Sequence, residues 1–375
     1  MSAKLYQINP NRELPWNDLP ILPINKEIYH NLDIIEKLGN TKAALARLQG
    51  RSAVIPNQGL LINTISLQEA KTSNAIENIF TTDDDLYRAF SDQKEEEQGA
   101  AKEVLRYREA LWSGYNYLQS KSIFDEEYFL QVFREIKQTK DKFRPEFLNT
   151  FIKHGGSGIN AGKIIYTPPR GKDVIKQKLQ NLIDFLNTDK YEIDPILKMC
   201  IAHFQFEAIH PFRDGNGRTG RIMNIHYLTK VGLLDVPILF LSKYILDNKD
   251  DYYSGLMGVS QRGDWKTWLL FMLDAIEVTS NITYNKINEI ISAKDSILDH
   301  LHNNLKKIRT PSRLVELIFT QPFTKVKHLI DAGIYSENTA REYLNRLCDE
   351  QILEKKIIGG HHYYLNIELY RILSD

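Results

Sequence analysis

The chain has little of what would give it a covalent, metallic or membrane-borne frame. Of its 375 residues two are cysteine, Cys200 and Cys348. Each sits alone in an apolar pattern of helical spacing, without a partner placed for a zinc site or a redox pair, so both read as buried thiols. No apolar run approaches the roughly 18 residues needed to span a bilayer, and Met1 to Gln7 has no apolar core of signal-peptide length. Those absences point to a cytoplasmic protein with no membrane partner. There is no surplus of charge either: 48 Lys and Arg balance 48 Asp and Glu, which excludes a general attraction to nucleic acid or anionic lipid. A P-loop is also missing. Residues 154 to 169 are glycine-rich, but G-x-x-x-x-G-K-[ST] needs Gly at 157 and Ser or Thr at 164, where Ser157 and Ile164 stand.

What remains is globular material, 42% hydrophobic and 26% charged, long enough for two or three domains. Apolar residues recur at helical spacing along most of it, which predicts a mainly α-helical fold. The chemistry concentrates in twelve residues, His210-Pro211-Phe212-Arg213-Asp214-Gly215-Asn216-Gly217-Arg218-Thr219-Gly220-Arg221. A base, a carboxylate, an amide, three glycines and three arginines make an inventory for handling phosphate. Helical patterns flank the stretch, so it is a loop between two helices, the first stopped at His210 by Pro211. Gly215 and Gly217 let consecutive N–H groups turn inward on an anion, and the second helix, starting near Arg218, aims its free amides at the same spot. Arg218 and Arg221 share a face and can fork onto phosphate oxygens. Asp214 offers a hard oxygen to Mg2+, His210 is the natural proton acceptor, and Phe212 pins the loop to the core. A turn with solvated arginines explains any one of these residues alone, but not the set.

Eight of the twelve, His210, Phe212, Asp214, Gly215, Asn216, Gly217, Arg218 and Arg221, match H-x-F-x-(D/E)-G-N-G-R-x-x-R, and the stretch resembles the Fic family motif. Upstream, Ser73, Glu77 and Asn78 resemble the family's inhibitory motif, (S/T)-x-x-x-E-(G/N), with Asn74 where many relatives have a second Ser. Standing alone, a Ser/Glu pair four residues apart is an exposed polar helix face. A hairpin is predicted over 154 to 169, ending in Thr167-Pro168-Pro169. It is similar to the family's flap, which holds a target segment by strand addition, and Ile164, Ile165 and Tyr166 would be its edge. One departure precedes it: Asp141 stands where a Gly is usual, two residues ahead of Phe143-Arg144.

The resemblance covers residues from about 20 to 290 and implies a protein adenylyltransferase. Such an enzyme moves AMP from ATP to a Ser, Thr or Tyr hydroxyl of a protein, itself included. His210 would be the base and Asp214 the Mg2+ ligand. ATP would lie among Glu77, His210, Gly215, Asn216, Gly217, Arg218, Thr219, Gly220 and Arg221, with Asn248 on the adenine side. Glu77, paired with Arg221, would autoinhibit by taking the place of the γ-phosphate. Transfer of UMP, removal of AMP, and a nucleotide-sensing DNA-binding regulator are the alternatives.

The chain divides into an N-terminal helical segment with the inhibitory helix (1–95), a Fic core with its flap (96–290) and a helical linker with a winged-helix domain (291–375). In the last, three helical patterns precede two strands around Gly359-Gly360. From Arg309 onward nine Lys and Arg meet nine Asp and Glu, a weak footprint for DNA, so protein contact or a homodimer is favoured over DNA. Four smaller readings complete the pass. The prolines up to Pro23 mark an extended surface segment, and Asp83-Asp84-Asp85 and Lys94-Glu95-Glu96-Glu97 mark solvated faces. His203 and Glu207 are a packed or hydrogen-bonded pair. His361 and His362, adjacent on a strand, point to opposite faces and cannot share a metal.

Overall fold

The computed structural model describes residues 5–53, 58–92, 99–153, 162–358 and 360–374. Outside the described residues lie Met1 to Lys4, the connector at Pro56 and Asn57, the run Lys94 to Glu97, the glycine-rich turn over 154–161, and Gly359. The N-terminal layer holds α1 (Leu32–Ala53), α2 (Gln58–Ile76) and α3 (Asp83–Asp92). The core follows with α4 (Ala100–Lys121), α5 (Glu126–Lys137), the hairpin strands β1 (Ile152–Lys153) and β2 (Ile164–Tyr166), α6 (Val174–Asn187) and α7 (Pro195–Ile209). It continues through α8 (Asn216–Lys230), α9 (Leu241–Asp247), α10 (Lys249–Arg262) and α11 (Trp265–Asn304). The C-terminal unit comprises α12 (Pro311–Phe319), β3 (Phe323–Thr324), α13 (Val326–Asp331), α14 (Glu337–Asp349), β4 (Leu353–Ile358), β5 (His361–Asn366) and α15 (Ile367–Ser374). The fold is mainly α-helical, with two small antiparallel sheets, β1-β2 and β3-β5-β4.

Two helices form the centre. Nearly every residue of α7 and α8 is buried; α7 is apolar on nearly all sides, as a surrounded helix should be, whereas α8 also buries polar groups, Arg218, Arg221, Asn224 and His226 among them. Asp194 caps α7 by accepting from the Ile196 N–H at 2.9 Å, with Pro195 in the first turn, where its missing N–H costs nothing. The helix ends at His210, which turns left-handed (φ 50°), and α8 restarts after Gly215 (φ 80°). The site loop is therefore held between two buried helix ends.

Three features differ from the sequence reading. The N-terminal segment is not a loose wrap: Tyr6, Trp16, Leu19 and Leu22 are buried. It is a strap under the hairpin, where the Trp16 N–H donates to the Thr167 carbonyl (3.1 Å), Thr167 Oγ1 to the Arg12 carbonyl (2.7 Å) and the Asn9 N–H to the Ser260 carbonyl (2.7 Å). The acidic run on α3 is not simply solvated, since Asp83 pairs with Lys71 of α2 at 2.7 Å and Asp84 accepts from the Tyr370 hydroxyl at 2.8 Å. The division at 290/291 falls inside α11, a single 40-residue helix, so the chain passes from core to C-terminal unit along one rod. Cys200 is fully buried and Cys348 half-buried. Among the described residues no helix is long and apolar enough to cross a membrane.

Candidate nucleotide site

The loop is braced from within. Asn216 Oδ1 accepts from the Phe212 N–H (2.8 Å) while its Nδ2 donates to the Phe212 carbonyl (2.9 Å), so this amide zips the loop and leaves only its backbone N–H for a ligand. Phe212 is fully buried and stacks on Phe133 of α5, ring centroids 4.0 Å apart. Arg144, which sequence reasoning noted only as half of a pair, has a positioning role. Its N–H donates to the Pro211 carbonyl (2.8 Å), and its guanidinium donates to the carbonyls of His210 (2.7 Å), Pro169 (2.5 Å) and Ile209 (3.3 Å). One buried cation thus ties the end of α7 to the exit of the hairpin. Burial lowers the Arg144 pKa to about 10, with Tyr166 opposing.

His210 lines a cavity of about 210 Å³ together with Glu77, Gly217, Arg221 and Glu207. Burial, then the Arg144 charge, pulls its pKa down to about 4, against the Glu207 carbonyl, Glu77 and Asp214. The imidazole is therefore neutral at pH 7 and free to accept a proton. Asp214 sits at the outer edge. Its Oδ1 accepts from the Gly215 N–H (2.6 Å) and its Oδ2 pairs with Lys137 of α5 (2.6 Å). Burial would raise its pKa, but Lys137, Arg218 and that N–H together hold it below the usual value. Among the described residues no three His, Cys, Asp or Glu side chains gather as a metal cage. A lone, largely exposed carboxylate suits Mg2+, which takes one carboxylate and fills its shell with phosphate and water, once Lys137 yields its place.

Both arginine forks are occupied by the protein. Arg221 Nε donates to Ser73 Oγ (2.8 Å), and its NH2 donates to the Ser73 carbonyl (3.0 Å) and to Glu77 Oε1 (2.8 Å). Burial alone would lower the Arg221 pKa, yet Glu77 outweighs it and Arg221 stays charged. Arg218 NH1 pairs with Glu103 of α4 (2.9 Å) and donates to Asn74 Oδ1 (3.2 Å), which gives the departure at Asn74 a partner. Helix α2 ends at Ile76. Glu77 lies on the turn beyond, and Asn78 (φ 62°) takes the left-handed turn that Asn and Gly tolerate best. Lys249 then holds the turn, donating to the Ile76 carbonyl (2.5 Å) and Asn78 Oδ1 (3.3 Å).

The hairpin and α10 complete the walls. Ile165 and Tyr166 of β2 and Ile152 of β1 line the cavity, with the Tyr166 hydroxyl bonded to the Ala208 carbonyl (2.8 Å). Ile164 pairs with Lys153 further out. Tyr252, Tyr253, Leu256, Met257 and Ser260 face inward from α10. Sequence reasoning weighed Tyr252 and Tyr253 evenly between core and pocket and missed Leu256, Met257 and Ser260, because a stripe at helical spacing looks the same over a cavity as over packing. Three residues expected at the nucleotide are turned elsewhere. Thr219 Oγ1 is spent on the Gly215 carbonyl (2.9 Å), and Gly220 faces Glu207, Phe206 and His203. Asn248 joins α9 to α10, its side chain on the Tyr244 carbonyl (2.9 Å), and does not line the cavity. His203 and Glu207 lie together beside Gly220 but share no hydrogen bond, and His203 Nε2 bonds the Tyr252 hydroxyl at 2.8 Å.

Three family models match the chain in order: "Fic/DOC family N-terminal" over residues 35–116, "Fic/DOC family" over 123–228, and "Protein adenylyltransferase SoFic-like, C-terminal domain" over 281–369. A probable protein adenylyltransferase of Aquifex aeolicus is 28% identical over 165 residues, which are 43% of this chain and 50% of that protein. Protein adenylyltransferase fic-1 of Caenorhabditis elegans is 27% identical over 161 residues, 41% of this chain and 29% of that one. The chain thus spans half or less of these relatives' length. In fold, the crystal structure of a Fic family protein from Desulfovibrio desulfuricans G20 superposes with a TM-score of 0.53 at 20% identity, covering 92% of this chain and 98% of that one. Fic-1 of C. elegans gives 0.51 at 17% identity, covering 68% and 72%.

Proposed function

This chain belongs to the Fic/DOC family, and from that premise we propose that it is a protein adenylyltransferase held inactive by its own Glu77. The observation that carries the reading is one cavity in which a neutral His210, the glycine turn at the start of α8 and an Arg221 already gripped by Glu77 stand side by side. In the reaction, a Ser, Thr or Tyr hydroxyl oxygen of the target bonds to the α-phosphorus of ATP. The bond from that phosphorus to the bridging oxygen breaks, pyrophosphate leaves, and the hydroxyl proton passes to His210. The Gly215 N–H is spent on Asp214, so the backbone N–H groups of Asn216 and Gly217 would face the charge that develops, in the manner of an oxyanion hole. Arg221, and Arg218 once freed from Glu103, hold the leaving phosphates. Asp214 would hold Mg2+, which supplies charge neutralisation on the phosphates.

The flap edge at Ile164, Ile165 and Tyr166 would present the target, and the C-terminal helices and hairpin would act as a winged helix touching a protein or a second copy. The relatives' names support AMP as the group transferred. Incubation of the Glu77→Gly form, in which Arg221 is released, and of the same form carrying His210→Ala with labelled ATP, and with labelled UTP in parallel, tests the reading. Label from ATP on protein, lost with His210, is the expected result. Label from UTP alone would reassign the nucleotide, and undiminished label with His210→Ala would remove the base.

A further inference from the structure

The proposed transfer leaves Glu207 without a task, although it lines the cavity. It lies on α7 one turn before His210, and its Oε1 is buried with no hydrogen-bond partner among the described residues. An unpaired buried carboxyl oxygen is uncommon in a folded protein, because its lost hydration, worth about 1–3 kcal/mol, goes uncompensated. The position is shaped for it all the same. A Cβ at Gly220 would stand 2.5 Å from Oε1, so a larger residue there would push the carboxyl aside. Arg221 does not satisfy it either, being bound to Ser73 and Glu77.

The protonation state follows from the surroundings. Burial comes first; Arg221 opposes it, Glu77 adds to it, and the Glu207 pKa is raised to about 8. At pH 7 the side chain is thus a neutral acid, with an O–H donor and a carbonyl acceptor. The groups around it are fixed over the same range. His203 and His210 on its own helix are pulled down to about 3 and 4, and Tyr253 is raised to about 12. Tyr252 and Tyr166 are raised as well, and Arg221 from α8 stays charged against Glu77 from α2. Glu69 of α2, raised to about 7, titrates nearby, but it is bonded to Tyr107 and Ser242 and does not line the cavity.

We propose that Glu207, with its proton on, is a nucleotide-binding residue whose O–H donates a hydrogen bond to an acceptor of the ATP held in this cavity. The inference rests on the adenylyltransferase reading above. Two glutamates of one cavity then act in opposite senses: charged Glu77 occupies the arginine that phosphate needs, while neutral Glu207 adds a donor without adding a charge that would repel the ligand. Ionisation of Glu207 removes the donor and places a second negative charge beside the phosphates, so affinity falls as pH rises through about 8.

Calorimetric titration of ATP into the full chain carrying His210→Ala, which cannot turn ATP over, tests this with Glu207 retained or changed to Gln or Leu. At pH 6.5 Glu207→Leu should weaken the dissociation constant about tenfold, the value of one such hydrogen bond. Glu207→Gln, a neutral donor of the same length, should stay within about twofold. Between pH 6.5 and 9 the Glu207 protein should lose about tenfold, one unit past its pKa, and the Gln variant should not. Equal affinity in all three proteins, a Gln variant as weak as the Leu variant, or parallel pH profiles with and without Glu207 would overturn the proposal while leaving ATP binding in place. Absence of ATP binding even with Glu207 retained would overturn the nucleotide reading itself.

Discussion

His210 and Arg144 show how single side chains set the chemistry of this site. Because burial lowers the His210 pKa to about 4, the base is unprotonated at and above pH 5, and transfer should fall only as pH drops through about 4. A pH–rate profile of an active form checks this, with the sign that acid, not alkali, removes the base. His210→Ala should cost transfer about 10²- to 10⁴-fold, the range of a positioned general base, and leave ATP binding largely intact because the phosphate cradle is backbone. Arg144 touches no reacting atom, yet the backbone carbonyls of His210, Pro169 and Ile209 depend on its guanidinium. Arg144→Ala strands them and should destabilise the fold by at least about 1–3 kcal/mol, read as a lower unfolding midpoint.

At the scale of elements, the α7–loop–α8 unit was legible because its punctuation is local. Pro211 ends one helix, Gly215 with φ 80° opens the next, and each constraint belongs to the residue that shows it. The α10 wall beyond its tyrosines was not legible, because Leu256, Met257 and Ser260 differ from core residues only in what lies opposite them. The end of α2 falls between these cases. Ser73 and Glu77 were readable as a pair, but the left-handed turn at Asn78 that aims Glu77 at Arg221 needed the backbone. Asn78→Gly should therefore keep the Glu77–Arg221 contact. Asn78→Val, in which a β-branched residue must enter that region at a cost of about 1–2 kcal/mol, should loosen it and raise transfer. Labelling by the two variants against wild type is the measurement.

Across the whole molecule, the C-terminal unit is welded to α3, the element that follows the Glu77–Asn78 turn. The Tyr370 hydroxyl donates to Asp84 (2.8 Å), the Tyr363 hydroxyl donates to both oxygens of Asp92 (2.9 and 2.8 Å), Lys325 pairs with Asp92, and His328 bonds the Ser91 carbonyl (3.2 Å). None of this could be read from the sequence, since the partners stand more than 200 positions apart and the acidic run looked like any solvated face. Tyr363→Phe and Tyr370→Phe should each cost about 1 kcal/mol in the full chain, and their sum in the double variant, as denaturant midpoints would show. The central claim is that Glu77, by holding Arg221, keeps ATP from seating with its α-phosphate in line for attack. A misplacement of about 1 Å can cost roughly 10²-fold in rate. Side-by-side labelling with ATP by wild type, Glu77→Gly and Arg221→Ala tests it most directly. Strong labelling by Glu77→Gly alone, with Arg221→Ala no better than wild type because it no longer holds the phosphates, is the predicted result. Equal labelling by wild type and Glu77→Gly would contradict it.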